Sequence, residues 1–85
     1  MKIIKISALW CPACIITNNA LNKLKDKYNF ELEELDYDMD EEEVGKYNVG
    51  DILPVLIFIK DNEEIDRLIG ERNYKEIEEV MKKYE

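Results

Sequence analysis

Two cysteines stand close together, Cys11 and Cys14, with Pro12 and Ala13 between them and Trp10 immediately before. Thiols at this spacing can close on each other as a disulfide, or they can supply half of a tetrahedral zinc site. The chain has no histidine and no third cysteine, so it cannot bring four zinc ligands alone, and a metal would require a dimer. No metal site is therefore assigned, and redox chemistry is the leading reading. The missing histidine also removes the Ser-His and Cys-His nucleophile pairs. Any chemistry must run on thiols, carboxylates or amines. An isoleucine-rich run precedes the cysteines and an amphipathic run follows them, which puts Cys11 at a helix N-cap, Pro12 at the first helical position and Cys14 one turn in. There a Cys11 thiolate meets unpaired first-turn amides and the positive end of the helix dipole, both of which stabilise the anion. Trp10, a large aromatic at an exposed corner, is a candidate for covering the site or contacting a partner.

The elements that must hold these residues read in order. Lys2 to Ser7 is a buried strand, expected at the centre of a sheet. From Pro12 to about Tyr28, the apolar positions Ile16, Ala20, Leu24 and Tyr28 recur at helical spacing. Phe30 to Tyr37 returns to a period near two. Asp40 followed three residues later by Glu43 reads as a capping box for a short helix through Tyr47, and the acidic first turn suits its dipole. Val55 to Ile59 is a second fully apolar strand. Asp61 and Asn62 tolerate positive φ and predict a tight hairpin to a partner strand over Glu63 to Ile69. Tyr74, Ile77, Val80 or Met81, and Tyr84 mark one face of a closing helix ending in Lys82 and Lys83. The order strand, helix, strand, helix, strand, strand, helix gives a parallel βαβ unit followed by a hairpin. It predicts an α/β fold with a mixed four-stranded sheet and helices on both faces.

With 85 residues, 46% of them hydrophobic and 38% charged, the chain has room for one domain over residues 1–85 and one core. Its eleven isoleucines supply the dense core that so small a domain needs. Twenty acidic against twelve basic residues give a net charge of −8, which argues against nucleic acid or an anionic membrane surface as a partner. The longest apolar run, Ile52 to Ile59, is eight residues and contains Pro54, whereas a membrane span needs about 20. Neither a secretory signal nor a set of cysteines spread for disulfide stapling is readable, so the expected compartment is the cytoplasm.

The chain resembles the thioredoxin family along nearly its whole length. Three features carry the resemblance: Trp10-Cys11-Pro12-Ala13-Cys14 at a strand-to-helix corner, Tyr47-Asn48-Val49 followed by Leu53-Pro54-Val55 before an apolar strand, and Gly70 after the hairpin. Only Met1 precedes the first strand, which matches the family's short form, a size shared with glutaredoxins. Pro12-Ala13 departs from the Gly-Pro usual between thioredoxin cysteines and puts proline directly after the nucleophile, as glutaredoxins do. The paired glycines and acids with which glutaredoxins hold glutathione are missing, and Gly50-Asp51 lengthens the loop before Pro54 by one residue. The resemblance implies that the Leu53-Pro54 bond is cis and packs beside the cysteines. It also implies that the backbone of Leu53 can pair with a substrate chain, and that Trp10, Pro12, Ala13, Leu53, Pro54 and Gly70 line an apolar substrate rim. A proline directly before a buried strand fits the strand-opening position where proline is tolerated.

The activity implied is thiol-disulfide exchange: Cys11 attacks a protein disulfide, Cys14 resolves the mixed disulfide, and an unidentified reductase returns the electrons, with no cofactor required. The protein is expected to be a monomer. The alternatives are a non-catalytic binding module, a metal-binding dimer and, as a lesser option, a glutathione-dependent reductase. One further departure concerns charge. Thioredoxins hold a buried acid six residues before the first cysteine and a lysine on the neighbouring strand; here Lys5 takes the first position and Glu34 the second. Strand alternation sets Lys5 on a face with Ile3 and Glu34 with Phe30 and Leu32. Both charges are expected among apolar neighbours and paired, with Glu34 taking the proton from Cys14.

Overall fold

The computed structural model describes residues 1–84. The elements run β1 (Lys2–Ser7), α1 (Pro12–Lys25), β2 (Glu31–Asp36), α2 (Glu41–Gly45), β3 (Val55–Lys60), β4 (Glu63–Ile69) and α3 (Tyr74–Lys83). The sheet order is β2-β1-β3-β4, so β1 lies inside the sheet as its apolar sequence requires. It pairs parallel with β2 and antiparallel with β3, and β4 pairs antiparallel with β3. The hairpin turns on Asp61 and Asn62, whose φ values are 55° and 65°. Both central residues are thus left-handed, as a turn that follows the strand twist requires.

Strand alternation divides the core into two layers. Ile3, Leu56 and Phe58 pack with Ala20, Leu21 and Leu24 of α1 and with Ile77, Val80 and Met81 of α3. On the other side Ile4, Ile6, Val55 and Ile57 pack with Val44 of α2, Leu35, Leu53 and both cysteines. The cysteines therefore sit where α1 crosses from one layer toward the other.

Three local expectations are corrected. The inward face of α1 is Cys14, Thr17, Ala20, Leu21 and Leu24, while Ile16 is half exposed. Thr17 is held inward because its hydroxyl donates to the Arg72 carbonyl and accepts from the Arg72 N–H. The helix ends at Lys25, after which Asp26 and Lys27 bond three residues back and tighten the last turn. At α2 there is no capping box: the Asp40 carboxylate accepts from the Asp36 N–H instead, and the helix stops at Gly45. The reciprocal box is at α3, where Asn73 Oδ1 accepts from the Glu76 N–H and the Glu76 carboxylate from the Asn73 N–H.

Candidate active site

β1 ends at Ser7, and Leu9 and Trp10 carry the chain round to Cys11, which is the N-cap of α1 with φ −101° and ψ 103°. Pro12 occupies the first turn, where a missing N–H costs no helical bond. The Cys11 N–H donates to the Ala8 carbonyl at 3.2 Å, and the Cys14 N–H donates to the Cys11 carbonyl at 3.3 Å. Both cysteines are free thiols. The two are almost equally enclosed, at 7% and 6% exposed. What distinguishes Cys14 is its surroundings. Burial, together with its hydrogen bond to Cys11, pushes its thiol up to about 11, against a hydrogen bond from the Ala8 backbone and the charge of Lys5, which pull the other way. Cys14 is thus held as a thiol across the neutral range.

The Leu53-Pro54 bond is cis. Pro54 immediately precedes β3 and is fully buried, and Leu53, 8% exposed, joins the same cluster as Cys11 and Cys14. Gly70 closes this corner, its N–H donating to the Pro54 carbonyl at 2.9 Å. Its φ of 91° is one that side-chain-bearing residues rarely adopt. The six expected rim residues therefore fall at three depths. Trp10 is 58% exposed and Pro12 is exposed, whereas the side chains of Leu53 and Pro54 lie beneath the surface. Ala13 and Gly70 lie between these extremes.

Trp10 is fixed rather than loose. Its Nε1 donates to Asp38 Oδ2 at 2.8 Å, and its ring meets Tyr37 edge-on at 6.3 Å. Asp38 was not expected in this role. Other exposed apolar residues flank the site segments in the chain: Leu9 before Trp10, Ile15 and Ile16 after Cys14, Ile52 before Leu53, and Ile69 before Gly70. The adjacent Ile15-Ile16 pair beside a helix face already full is the signal in the sequence that could have found the outer part of this surface.

Lys5 and Glu34 are opposite each other in the β1–β2 register, and Lys5 Nζ lies 2.7 Å from Glu34 Oε1. Their pairing is as expected, but their burial is not symmetric. The Lys5 side chain is 7% exposed and that of Glu34 59%, because β2 is an edge strand and its carboxylate reaches the amine from outside. The hydrogen bond from Lys5 and its charge hold the Glu34 carboxyl below the usual carboxylate range. Asn18, for which the sequence carries no signal of a site role, supplies a second acceptor at 2.6 Å. Among the described residues, no group of three or more potential metal-ligating side chains gathers.

A profile of the thioredoxin family, described as Thioredoxin, matches residues 1–83. The chain belongs to the thioredoxin family. It is 31% identical over 86 residues to a thioredoxin of Staphylococcus epidermidis, covering 99% of this chain and 82% of that one. A Listeria monocytogenes thioredoxin is 33% identical over 79 residues, covering 91% and 76%. Among solved structures, the reduced Schistosoma mansoni thioredoxin pre-protein superposes with a TM-score of 0.89 at 27% identity, covering 99% of this chain and 78% of that one. The Fasciola hepatica thioredoxin superposes with a TM-score of 0.85 at 29% identity, covering 99% and 80%. With the Cys11-Cys14 pair at the start of α1, the protein is a thiol-disulfide oxidoreductase of the thioredoxin fold. Thioredoxins act on disulfide-bearing protein substrates and receive their electrons from a reductase.

Proposed function

We propose that the enzyme works as a reductase of protein disulfides, with Cys11 as attacking nucleophile and Cys14 as resolving thiol. The observation that carries this reading is the contrast in position: Cys11 caps α1, whereas Cys14 lies a turn inside with its proton held to about 11. The Cys11 thiolate attacks one sulfur of the substrate, and the other sulfur leaves as a thiolate that takes up a proton. Cys14, on losing its proton, attacks the Cys11 sulfur and expels the second substrate thiolate. The substrate gains two electrons and two protons, and the enzyme is left with a Cys11-Cys14 disulfide.

Trp10, Pro12 and Ala13 form one wall of the substrate seat, with Leu53, Pro54 and Gly70 opposite, and the Leu53 backbone pairs with an extended substrate segment. Lys5 and Glu34 are the polar group behind Cys14. The enzyme acts as a monomeric single domain in the cytoplasm, where a poise of roughly −220 to −320 mV keeps the dithiol form dominant. In the described residues no helix is long and apolar enough to cross a membrane.

Reduction of insulin disulfides with a dithiol as electron donor tests the reading. Turnover well above the dithiol alone is expected. A rate equal to the dithiol alone would instead support a binding module. The Cys14→Ser variant is expected to accumulate a mixed disulfide through Cys11, visible as an adduct by mass spectrometry, and Cys11→Ser is not. Adducts on Cys14 instead would reverse the two roles.

A further inference from the structure

Among the described residues Lys5 is the one basic or acidic side chain in the buried set. An ammonium out of water demands partners, and it has three N–H donors to satisfy. Glu34 Oε1 takes one at 2.7 Å and Asn18 Oδ1 another at 2.6 Å, and no acceptor among the described residues takes the third. Asn18 is four residues after Cys14 in α1, so the two side chains are neighbours on one helix face. Asn18 therefore anchors the amine on the strip of α1 that carries the resolving thiol.

We propose that Lys5, held by Asn18 and Glu34, is the counter-charge for the Cys14 sulfur, stabilising it as a thiolate each time the Cys11-Cys14 bond forms or breaks. This rests on the reading of Cys14 as the resolving thiol. In resolution, the Cys14 S–H gives its proton to solvent, its sulfur attacks Cys11, and the substrate thiolate leaves. In recharging, a donor thiolate attacks Cys11 and Cys14 leaves with the electron pair. Negative charge develops on the same sulfur in both directions, so one fixed cation assists both. The ionisable groups acting on that sulfur are Cys11 at the helix cap and Lys5 on β1, and Lys5 favours the anion. Glu34 on β2 and Lys25 on α1 act through the amine–carboxylate pair. From β3 and α2 the cluster that holds Cys14 receives only apolar side chains, Val55, Ile57 and Val44.

Glu34 suits a positioning role better than that of a base. Its carboxylate is more than half exposed and already accepts from the amine, which weakens it as a proton acceptor. Asn18 and Glu34 are thus positioning residues.

Stopped-flow reaction of the reduced chain with 5,5′-dithiobis(2-nitrobenzoate) separates the steps, because the first coloured thiolate reports attack by Cys11 and the second reports resolution by Cys14. In Lys5→Met the pH profile of the second release is expected to move up by about one unit, slowing it about ten-fold at neutral pH. Lys5→Arg is expected to restore most of this. Asn18→Ala, which keeps the charge but loosens it, should slow the second release in the same direction and decides the matter if Lys5→Met does not fold. Glu34→Gln keeps an acceptor for the amine but removes the opposing charge, so its second release should be faster than wild type and its pH profile should move down. A second release slowed about ten-fold in Glu34→Gln would make Glu34 the base and overturn the proposal, as would wild-type profiles in Lys5→Met and Asn18→Ala. If the wild type shows only one release, the assignment of Cys14 as resolving thiol fails first, which distinguishes the two failures.

Discussion

Cys11 and Cys14 share the same small solvent access, so access alone cannot rank their reactivity. Protonation can, because the thiolate is the nucleophile. With the Cys14 thiol raised to about 11, the fraction ionised at pH 8 is roughly one in a thousand and grows about ten-fold per pH unit until that value is reached. Limited iodoacetamide treatment near neutral pH is therefore expected to label Cys11 first. Labelling of Cys14, followed by peptide mapping, should climb about ten-fold per pH unit between pH 8 and 10. Preferential labelling of Cys14 at neutral pH would contradict its burial as the controlling influence. The pairing of Lys5 with Glu34 was legible from the resemblance, which sets a charge at each position on neighbouring strands, with strand alternation in support, and the register places the two opposite each other. The exposure of Glu34 was not, because it depends on β2 being at the edge of the sheet, which helix and strand periodicity do not encode.

At the scale of the element, α1 carries the clearest lesson. Ile16, Ala20 and Leu24 and, equally, Thr17, Leu21 and Leu24 satisfy helical spacing, and a rotation of about 100° per residue separates the two choices. Periodicity alone favours the isoleucine. The fold chooses Thr17, because its hydroxyl finds both backbone groups of Arg72 before α3 and because Cys14 must turn inward at the corner. Two substitutions measure this choice. Leu21→Ala, at a fully buried site between α1 and the sheet, is expected to cost about 2–5 kcal/mol in denaturant unfolding. Ile16→Ala, at a half-exposed site, should stay within about 0.5 kcal/mol of wild type. A larger loss at Ile16 than at Leu21 would restore the face read from spacing. The cap of α2 differs from its expectation for a related reason, and the box at α3 went unread. Asp40-x-x-Glu43 and Asn73-x-x-Glu76 have the same pattern, but the Asp40 carboxylate is claimed by the Asp36 N–H where the chain leaves β2.

For the whole molecule, the sheet order follows from connection rules that a short chain obeys: a βαβ crossover makes β1 and β2 parallel, and a two-residue turn makes β3 and β4 antiparallel. What those rules leave open is how the surface meets a partner. The net charge is −8, and Asp38, Glu41, Glu42 and Glu43 follow closely on the segment that holds Trp10. Exposed apolar side chains flank the cysteines and supply attraction only on contact, whereas the charge acts beyond contact distance at low salt. The two forces therefore separate in an ionic-strength series. Encounter with a positively charged disulfide protein is expected to be fast at about 10 mM salt, and its second-order reduction rate should fall several-fold by about 0.5 M, as the screening length shrinks from roughly 30 Å to a few ångströms. A negatively charged disulfide protein should show the reverse, slow at low salt and faster as screening removes the repulsion. Because the apolar contact and the exchange chemistry are common to both substrates, the two rates should converge at high salt. Parallel salt responses for the two substrates would mean that the acidic surface does not steer encounter and that selection rests on the apolar seat alone.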